Sequence, residues 1–267
     1  MQNTRVYVKI IAEENDMEDK IYIRGVGFDN VSLDEAASRV GEFLRTDGAK
    51  VIHTPNSEIV EMCVEHPEEY ELINSADLII PDGSGVVLAS KILGTPLKKG
   101  KVAGVELAER ILEMAAREGY TLFFLGGKPG VAESARDKMT AKYPGLRVVG
   151  CRDGYFEKQG EQSDKVIQLI NETGADILFV CLGVPAQEKW MRANRDRLNV
   201  RVMAGLGGSL DVFAGTAKRA PKIFIKLGLE WFYRLIKEPK RIGRMMKLPK
   251  FLLGTIFSGR DKKNDNA

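Results

Sequence analysis

Asp82 is the acidic residue whose surroundings best suit acid–base chemistry. It lies between Pro81 and Gly83, directly after the predicted strand 77–80. A carboxylate at the end of a buried strand is placed to accept a proton from a substrate hydroxyl. The same position also suits an Asp that caps the helix that follows. The spacing alone leaves both interpretations open, a general base and a helix cap.

Two glycine-rich turns could receive a nucleotide diphosphate. Gly126-Gly127 and 205–208 each follow an apolar run, and glycine lets a ligand approach the backbone closely. Helices that begin after such turns offer free N–H groups and a positive dipole end. Turn geometry alone explains the glycines equally well. The GxxxxGK[ST] phosphate loop is missing and 205–208 does not complete GxGxxG, so kinase, ATPase and simple NAD functions lose support.

The remaining polar candidates are weaker. Asp211 could contact a sugar or a nucleotide, although a solvent-facing Asp in the first turn of a helix is the alternative. His53, at the end of an apolar run, is expected to be a packed residue, and His66 a surface residue. No Asp-X-Asp triplet occurs, so no metal site and no cofactor is predicted. Charge on a leaving diphosphate must then be met by Lys, Arg and backbone donors.

These residues need a scaffold that brings strand ends together. Five apolar or β-branched runs each lead through a Gly, Pro or polar turn into an amphipathic helix. Strands that alternate with helices favour an α/β fold with a mostly parallel, Rossmann-like sheet sandwiched by helices. In such folds ligands collect beyond the carboxyl ends of the strands. The five runs are 50–53, 77–80, 121–125, 176–182 and 200–204, and further strands are predicted at 21–28 and 146–150.

The composition is that of an ordinary globular protein, with 267 residues, 44% hydrophobic and 29% charged. Cys63, Cys151 and Cys181 are widely spaced and form no CxxC pair, so neither a disulfide framework nor a zinc site is indicated. No apolar signal core begins the chain, and no apolar run approaches the roughly 20 residues needed to span a bilayer. We therefore expect a cytoplasmic protein without a transmembrane segment.

Charge divides the chain into two parts. The formal net charge is +3, yet residues 218–267 hold 14 Lys or Arg against 4 Asp or Glu. The stretch 222–237 is densely apolar and aromatic, Pro239 ends or kinks it, and a second helical stretch follows. We predict an α/β catalytic core over residues 1–217 and a basic amphipathic appendage over residues 218–267 that seeks an anionic surface.

Six ordered sequence blocks together resemble the WecG/TagA/CpsF family of glycosyltransferases. They span nearly the whole chain, and together they are far more specific than any one block. The resemblance implies an inverting glycosyltransferase that needs no metal. The blocks are Thr54-Pro55-Asn56-Ser57-Glu58, ADLIIPDG at 76–83, VAGVEL at 102–107, FLGGKPG at 124–130, LGVPAQEKW at 182–190 and Arg219-Ala220-Pro221.

Within this family the chain is most similar to members that act in wall teichoic acid linkage-unit synthesis. These transfer N-acetylmannosamine from UDP to N-acetylglucosaminyl-diphospho-undecaprenol in a β-1,4 linkage. The donor is α-linked and the product β-linked, so the resemblance implies one in-line displacement with inversion. UDP-N-acetylmannosaminuronic acid and UDP-glucose are the alternative donors within the family.

The matching motifs also imply roles for individual residues. Asp82 would deprotonate the acceptor 4-hydroxyl, with Thr54 and Asn56 nearby in the same pocket. Gln187 and Asp211 would hold the UDP-sugar. The turn glycines assigned to substrate binding are Gly126, Gly127 and Gly207.

The resemblance further implies that the appendage closes over the active site. Arg234, Arg241 and Arg244 would complete it, and their spacing could place them on one helical face, although Pro239 lies between them. A solvated or lipid-facing charge stripe is the alternative. Where the family has an Arg before the 102–107 block, this chain has Lys101, which keeps the charge but loses a bidentate phosphate grip.

A polyprenyl-diphosphate-linked acceptor implies an enzyme that is peripheral on the inner face of the cell membrane. Apolar side chains of the appendage could enter the headgroup boundary while Lys and Arg meet anionic lipid. The resemblance also suggests a homo-oligomer. Two other classes stay open: a noncatalytic sugar-nucleotide or lipid-binding protein, and a nucleic-acid binder. The second lacks a recognised binding module, so no nucleic-acid partner is expected.

Overall fold

A parallel six-stranded sheet forms the centre of the protein, as described by a computed structural model for residues 20–237 and 242–264. The strands of this sheet are β3 (Lys50–His53), β4 (Leu78–Ile79), β5 (Thr121–Gly126), β6 (Arg147–Arg152), β7 (Ile177–Cys181) and β8 (Val202–Gly205). They lie in the order β4-β3-β8-β7-β5-β6, and every neighbouring pair is parallel. The expected α/β fold with a parallel sheet is confirmed.

Helices cover both faces of this sheet. In the core these are α1 (Leu33–Phe43), α2 (Ser57–Glu65), α3 (Glu69–Asn74), α4 (Ser84–Ile92), α5 (Gly104–Glu118), α6 (Val131–Lys142), α7 (Gly160–Thr173), α8 (Ala186–Asn194) and α9 (Ser209–Phe213). All five predicted strand–turn–helix units are present. The C-terminal part adds α10 (Lys222–Lys226), α11 (Glu230–Lys237), α12 (Ile242–Met245) and α13 (Lys247–Asn264).

Two apolar layers hold the helices against the sheet. Each residue of β7 is buried, as expected for a strand that is covered on both faces. Helices α1, α5, α6 and α9 contribute to one layer, and α2, α4, α7 and α8 to the other. The adjacent strands β3 and β8 therefore lead into helices on opposite faces. Such a reversal opens a crevice at the carboxyl edge of a parallel sheet, where ligands of this fold class bind.

The prediction of one strand over residues 21–28 is wrong. The structure has an antiparallel hairpin of β1 (Lys20–Ile23) and β2 (Val26–Asp29), which form a separate sheet. Arg24 and Gly25 turn the chain with φ angles of 47° and 87°, and two consecutive positive φ angles are typical of a tight hairpin turn. The Tyr70 hydroxyl donates to the Arg24 carbonyl over 2.8 Å and stabilises this turn.

The apolar stretch 222–237 also differs from expectation, because it forms two helices rather than one. Gly228 lies between α10 and α11 with a φ of 71°, which ends a right-handed helix. Farther on, Phe251 of α13 is fully buried and joins the layer formed by α2, α4, α7 and α8. Among the described residues, no helix combines the length and apolarity needed to cross a bilayer.

Candidate active site

The predicted catalytic residues Thr54 and Asp82 lie in neighbouring loops at the carboxyl edge of the sheet. Thr54 follows β3, and its hydroxyl donates to the Gly205 carbonyl at the end of β8 over 2.9 Å. Asp82 follows β4, and its amide donates to the Pro55 carbonyl over 3.3 Å. The hydrogen bonds therefore join the ends of three adjacent strands, β4, β3 and β8, at one edge of the sheet.

Asp82 precedes the cap position of α4 rather than occupying it. Gly83 is the N-cap residue, with a φ of 92°, and Asp82 itself is half-buried. The Pro81 carbonyl accepts from the Val102 amide over 3.0 Å, which ties this loop to the segment that leads into α5. The helix-cap interpretation of Asp82 therefore loses its support, and the proton-acceptor role stays a prediction.

Asn56 serves as the N-cap of α2. Its side-chain oxygen accepts from the amides of Glu58 and Ile59 over 2.9 and 3.2 Å, a common way to satisfy the first turn of a helix. The oxygen is thus engaged, and any contact with a substrate falls to the amide nitrogen. The Cβ that a side chain at Gly83 would carry lies 3.9 Å from the Asn56 Cβ, so the two loops run side by side.

Gln187 holds the turn between β8 and α9. Its side chain is 1% exposed, and its carbonyl oxygen accepts from the Gly207 amide over 3.1 Å. Its amide nitrogen donates to Glu188 over 2.8 Å. A Cβ on Gly205 would lie 3.0 Å from the same nitrogen. Thr54 and Gln187 therefore both contact the end of β8, and Gln187 supports the backbone there.

Asp211 lies in the first turn of α9 and faces back toward the preceding turn. It is half-buried, one carboxylate oxygen accepts from the Thr216 hydroxyl over 3.3 Å, and the other lies 4.0 Å from where a Gly208 Cβ would be. This placement brings Asp211 to the same crevice edge as Gly207. Its assignment to the UDP-sugar stays a prediction.

Packing explains Gly126 in the other glycine-rich turn. A Cβ there would overlap the Cys181 carbonyl of the neighbouring strand β7, and its φ of 130° also favours glycine. Gly127 donates to the same carbonyl over 3.2 Å and accepts from the Gly154 amide over 2.9 Å. These glycines join three strand ends, so the close approach that they permit is one between protein strands. Their substrate-binding role is not tested by these contacts.

The C-terminal helices contact the loops that surround Asp82. Ser84 donates to the Gly228 carbonyl over 2.8 Å, directly after the Asp82 loop. Lys101, predicted to bind substrate, lies 4.0 Å from Glu230 at the start of α11. The sequence pattern did not single out Ser84 or Glu230, because nothing local to either residue indicates a partner more than 100 positions away.

The arginines predicted to complete the site are only partly described. Arg234 lies in α11 and Arg244 in α12, but their side chains, and all of Arg241, fall outside what the structure describes. Their convergence on the site stays a prediction. Arg219, from the last sequence block, pairs with Glu106 of α5, so this block fastens the beginning of the appendage to the core.

The two histidines lie where the sequence predicted. His53 is 2% exposed and its Nδ1 lies 3.1 Å from the Ile73 carbonyl. Burial lowers its pKa to about 4, so the ring is neutral near neutral pH. His66 lies at the C-terminus of α2, and its side chain is largely exposed. His53 packs directly beneath the loop that carries Thr54.

Glu188 is a residue of interest that sequence reasoning missed. It is 2% exposed, and burial raises its pKa to about 7, with the neighbouring Glu69 adding to the rise. Buried carboxyls with such shifts cluster at functional sites. A charged residue in the middle of the block LGVPAQEKW is the only signal in the sequence, and a solvated helix face explains such a residue equally well until its burial is known.

Comparison with known proteins identifies the family of this chain. The profile of the family described as "Glycosyl transferase WecG/TagA/CpsF family" matches residues 21–265. Two relatives, from Staphylococcus aureus strains MRSA252 and MW2, are each 37% identical over 242 residues. The match covers 90% of this chain and 93% of each relative, and both relatives are named N-acetylglucosaminyldiphosphoundecaprenol N-acetyl-beta-D-mannosaminyltransferase. The chain therefore belongs to the WecG/TagA/CpsF glycosyltransferase family.

Proposed function

We propose that this protein transfers N-acetylmannosamine from UDP to N-acetylglucosaminyl-diphospho-undecaprenol in a β-1,4 linkage, a step of wall teichoic acid linkage-unit synthesis. The observation that carries the proposal is the 37% identity to enzymes of that name over 90% of the chain. The family profile matches residues 21–265, which include the strand ends, the loops around Asp82 and most of the appendage.

Asp82 acts as the general base in this proposal. It takes the proton from the acceptor 4-hydroxyl as that oxygen attacks the anomeric carbon of the donor. The bond from this carbon to the UDP oxygen breaks on the opposite side, so the configuration inverts and UDP leaves with the electron pair. The half-buried position of Asp82 beside the Thr54 loop supports this role, because a base must lie within hydrogen-bond reach of its proton.

The donor diphosphate lies against the turn between β8 and α9 in this proposal. Gln187 contacts Gly207 there and Asp211 lies near Gly208. The Gly207 amide already donates to Gln187, so other donors meet the charge that develops on the leaving group. The appendage arginines would add positive charge, which fits a reaction without a metal ion. Thr54 and Asn56 hold the β3 loop in place through their contacts with Gly205 and α2.

The appendage brings the enzyme to its lipid-linked acceptor in this proposal. Exposed apolar side chains project from α10, α11 and α12, and 14 basic residues lie between positions 218 and 267. This composition suits an interfacial helix that binds anionic lipid at the cytoplasmic face of the membrane as a peripheral protein. More than half exposed are Ile223, Ile236 and Ile242 in these helices and Leu227 and Met246 directly after two of them.

A donor panel tests the proposed reaction. UDP-N-acetylmannosamine, UDP-N-acetylmannosaminuronic acid and UDP-glucose are each offered with a short-chain N-acetylglucosaminyl-diphospho-lipid, with and without EDTA. We expect product from the first donor only, and an unchanged rate in EDTA. Transfer from another donor would replace the donor assignment, and loss of activity in EDTA would contradict the metal-independent mechanism.

A further inference from the structure

Glu188 is an acidic side chain in a place that does not stabilise it. One carboxylate oxygen accepts from Gln187 over 2.8 Å. The other is buried and has no hydrogen-bond partner in the part of the chain that the structure describes. The neighbouring Lys189 forms its ion pair with the nearby acid Glu69, over 2.5 Å, rather than with Glu188. Burying a carboxyl without full compensation is unfavourable, and an apolar residue of similar size is often the more stable choice.

The hydrogen bond between Glu188 and Gln187 reaches the 205–208 turn through two further groups. The amide nitrogen of the Gln187 side chain donates to the Glu188 carboxylate, and its carbonyl oxygen accepts from the Gly207 amide. The ionised carboxylate only accepts hydrogen bonds, so in this form Glu188 requires the nitrogen end of the Gln187 side chain. The oxygen end is thereby turned toward Gly207.

This chain of contacts defines the conformation of the 205–208 turn. Gly207 has a φ of 55°, which the hydrogen bond from its amide to Gln187 holds in place. Gly205 leaves room for the Gln187 amide, since a Cβ would lie 3.0 Å from it. A reversed Gln187 amide would present N–H groups to the Gly207 N–H, and the turn would lose its support.

We propose that Glu188 is a positioning residue for donor binding, which acts through Gln187 to hold the 205–208 turn in the shape that receives the UDP diphosphate. The inference rests on the proposed function, because it takes UDP as the ligand of this turn. A positioning role differs from a purely structural one in its expected effect. Because burying Glu188 costs stability, its replacement by an apolar residue should impair UDP binding while the fold stays intact.

Two kinds of substitution separate these roles. Glu188→Leu and Glu188→Met remove the acceptor and retain the volume, whereas Glu188→Gln retains an oxygen that can accept from Gln187. The matched control is Ser163→Ala. The hydroxyl of Ser163, in α7, accepts over 2.9 Å from Trp190, which lies in α8 as Glu188 does, and this contact is buried. This control removes a buried hydrogen bond from α8 without touching Gln187.

UDP affinity is measured by calorimetry on the full chain, beside donor KM, acceptor KM and the melting temperature. We expect the Leu and Met variants to bind UDP about tenfold more weakly and to raise the donor KM by the same factor, with the acceptor KM and melting temperature maintained. Glu188→Gln should bind UDP with nearly the affinity of the wild type. Ser163→Ala should melt earlier and bind UDP as the wild type does.

A double variant tests whether Glu188 acts through Gln187. In a Gln187→Ala background, Glu188→Leu should cause no further loss of UDP affinity, whereas two independent, additive losses would overturn the inference. Unfolding of both apolar Glu188 variants, or their wild-type UDP affinity, would overturn it as well. Failure of the proposed function itself looks different, because the wild-type protein would then neither bind UDP nor transfer the sugar.

Discussion

At the scale of single residues, the side chains around the crevice fall into two groups. Thr54, Asn56 and Gln187 each use a polar atom to fasten a loop. Asp82 comes directly after a strand and does not cap the helix behind it. Residue types and motif order predicted that these positions matter. They could not predict which side chains support the backbone, since that depends on partners distant in sequence, such as Gly205 for Thr54.

Removal of the Thr54 hydroxyl should loosen the contact between β3 and β8. Thr54→Val leaves the shape of the side chain but not its donor to the Gly205 carbonyl, so we expect a loss of about 1 kcal/mol in unfolding free energy and a lower turnover. Thr54→Ser retains the donor and should retain most of both. Chemical denaturation and product formation measure the two effects, and equal behaviour of the Val and Ser variants would contradict this role.

His53 and Glu188 should contribute slopes of opposite sign to the unfolding free energy as a function of pH. Burial lowers the pKa of His53 from 6.5 to about 4. Between these two pH values the unfolded chain binds more protons than the folded chain at this position, so stability is lost as the pH falls. Burial raises the pKa of Glu188 from 4.5 to about 7, so the folded chain binds the extra proton and stability is lost as pH rises. Each slope is at most about 1.4 kcal/mol per pH unit.

Substitution should separate these two slopes. We expect Glu188→Leu to make the unfolding free energy rise more steeply between about pH 5 and about pH 6 than in the wild type, and His53→Leu to make it rise less steeply or fall. Urea unfolding of the three proteins across this range measures the effect. Parallel curves for all three would show that these two groups do not titrate differently on folding.

At the scale of elements, hydrophobic patterning predicted the strands of the parallel sheet and the helices after them. It failed at the 21–28 hairpin, because apolar residues continue across the turn and only Gly25 indicates it. It also missed the break at Gly228 within an apolar stretch. In both places a left-handed backbone conformation changes the chain direction, and hydrophobic periodicity does not report this conformation.

The glycine-rich turn after β5 offers a test at this scale. Gly126→Ala should destabilise the fold by more than about 2 kcal/mol, because its Cβ would overlap the Cys181 carbonyl as well as strain the backbone. Gly174→Ala, with a φ of 63° and open space around it, should cost only about 1 kcal/mol. Comparison of unfolding free energies checks this, and equal losses would contradict the packing explanation.

At the scale of the whole molecule, the final helix is anchored to the core beside the active-site loops. Phe251 of α13 is fully buried. Lys250 of the same helix lies 3.3 Å from Glu61 of α2, and Glu61 also pairs with Arg24 of the β1–β2 turn. Removal of everything after residue 217 would expose the Phe251 site and damage the core. The division into a core and an appendage stays a proposal, and point variants test the membrane contact more cleanly than truncation.

Ile223→Ser combined with Leu227→Ser should weaken membrane binding without unfolding the protein. Both side chains are more than 60% exposed on the appendage, so the loss of apolar area should reduce sedimentation with vesicles that contain phosphatidylglycerol. Leu169→Ser, an exposed apolar position of α7, is the matched control and should sediment like the wild type. Wild-type sedimentation of the double variant would exclude this surface from the membrane contact.

The most direct test of the catalytic account is the turnover of Asp82→Asn with UDP-N-acetylmannosamine and a soluble lipid-linked acceptor. The Asn side chain fits the same space but cannot take the acceptor proton, so turnover should fall by about 10²–10⁴-fold while UDP binds as before. Asp137→Asn, the same change on the exposed face of α6, should leave turnover unchanged. Wild-type turnover in Asp82→Asn would contradict the assignment of Asp82 as the base.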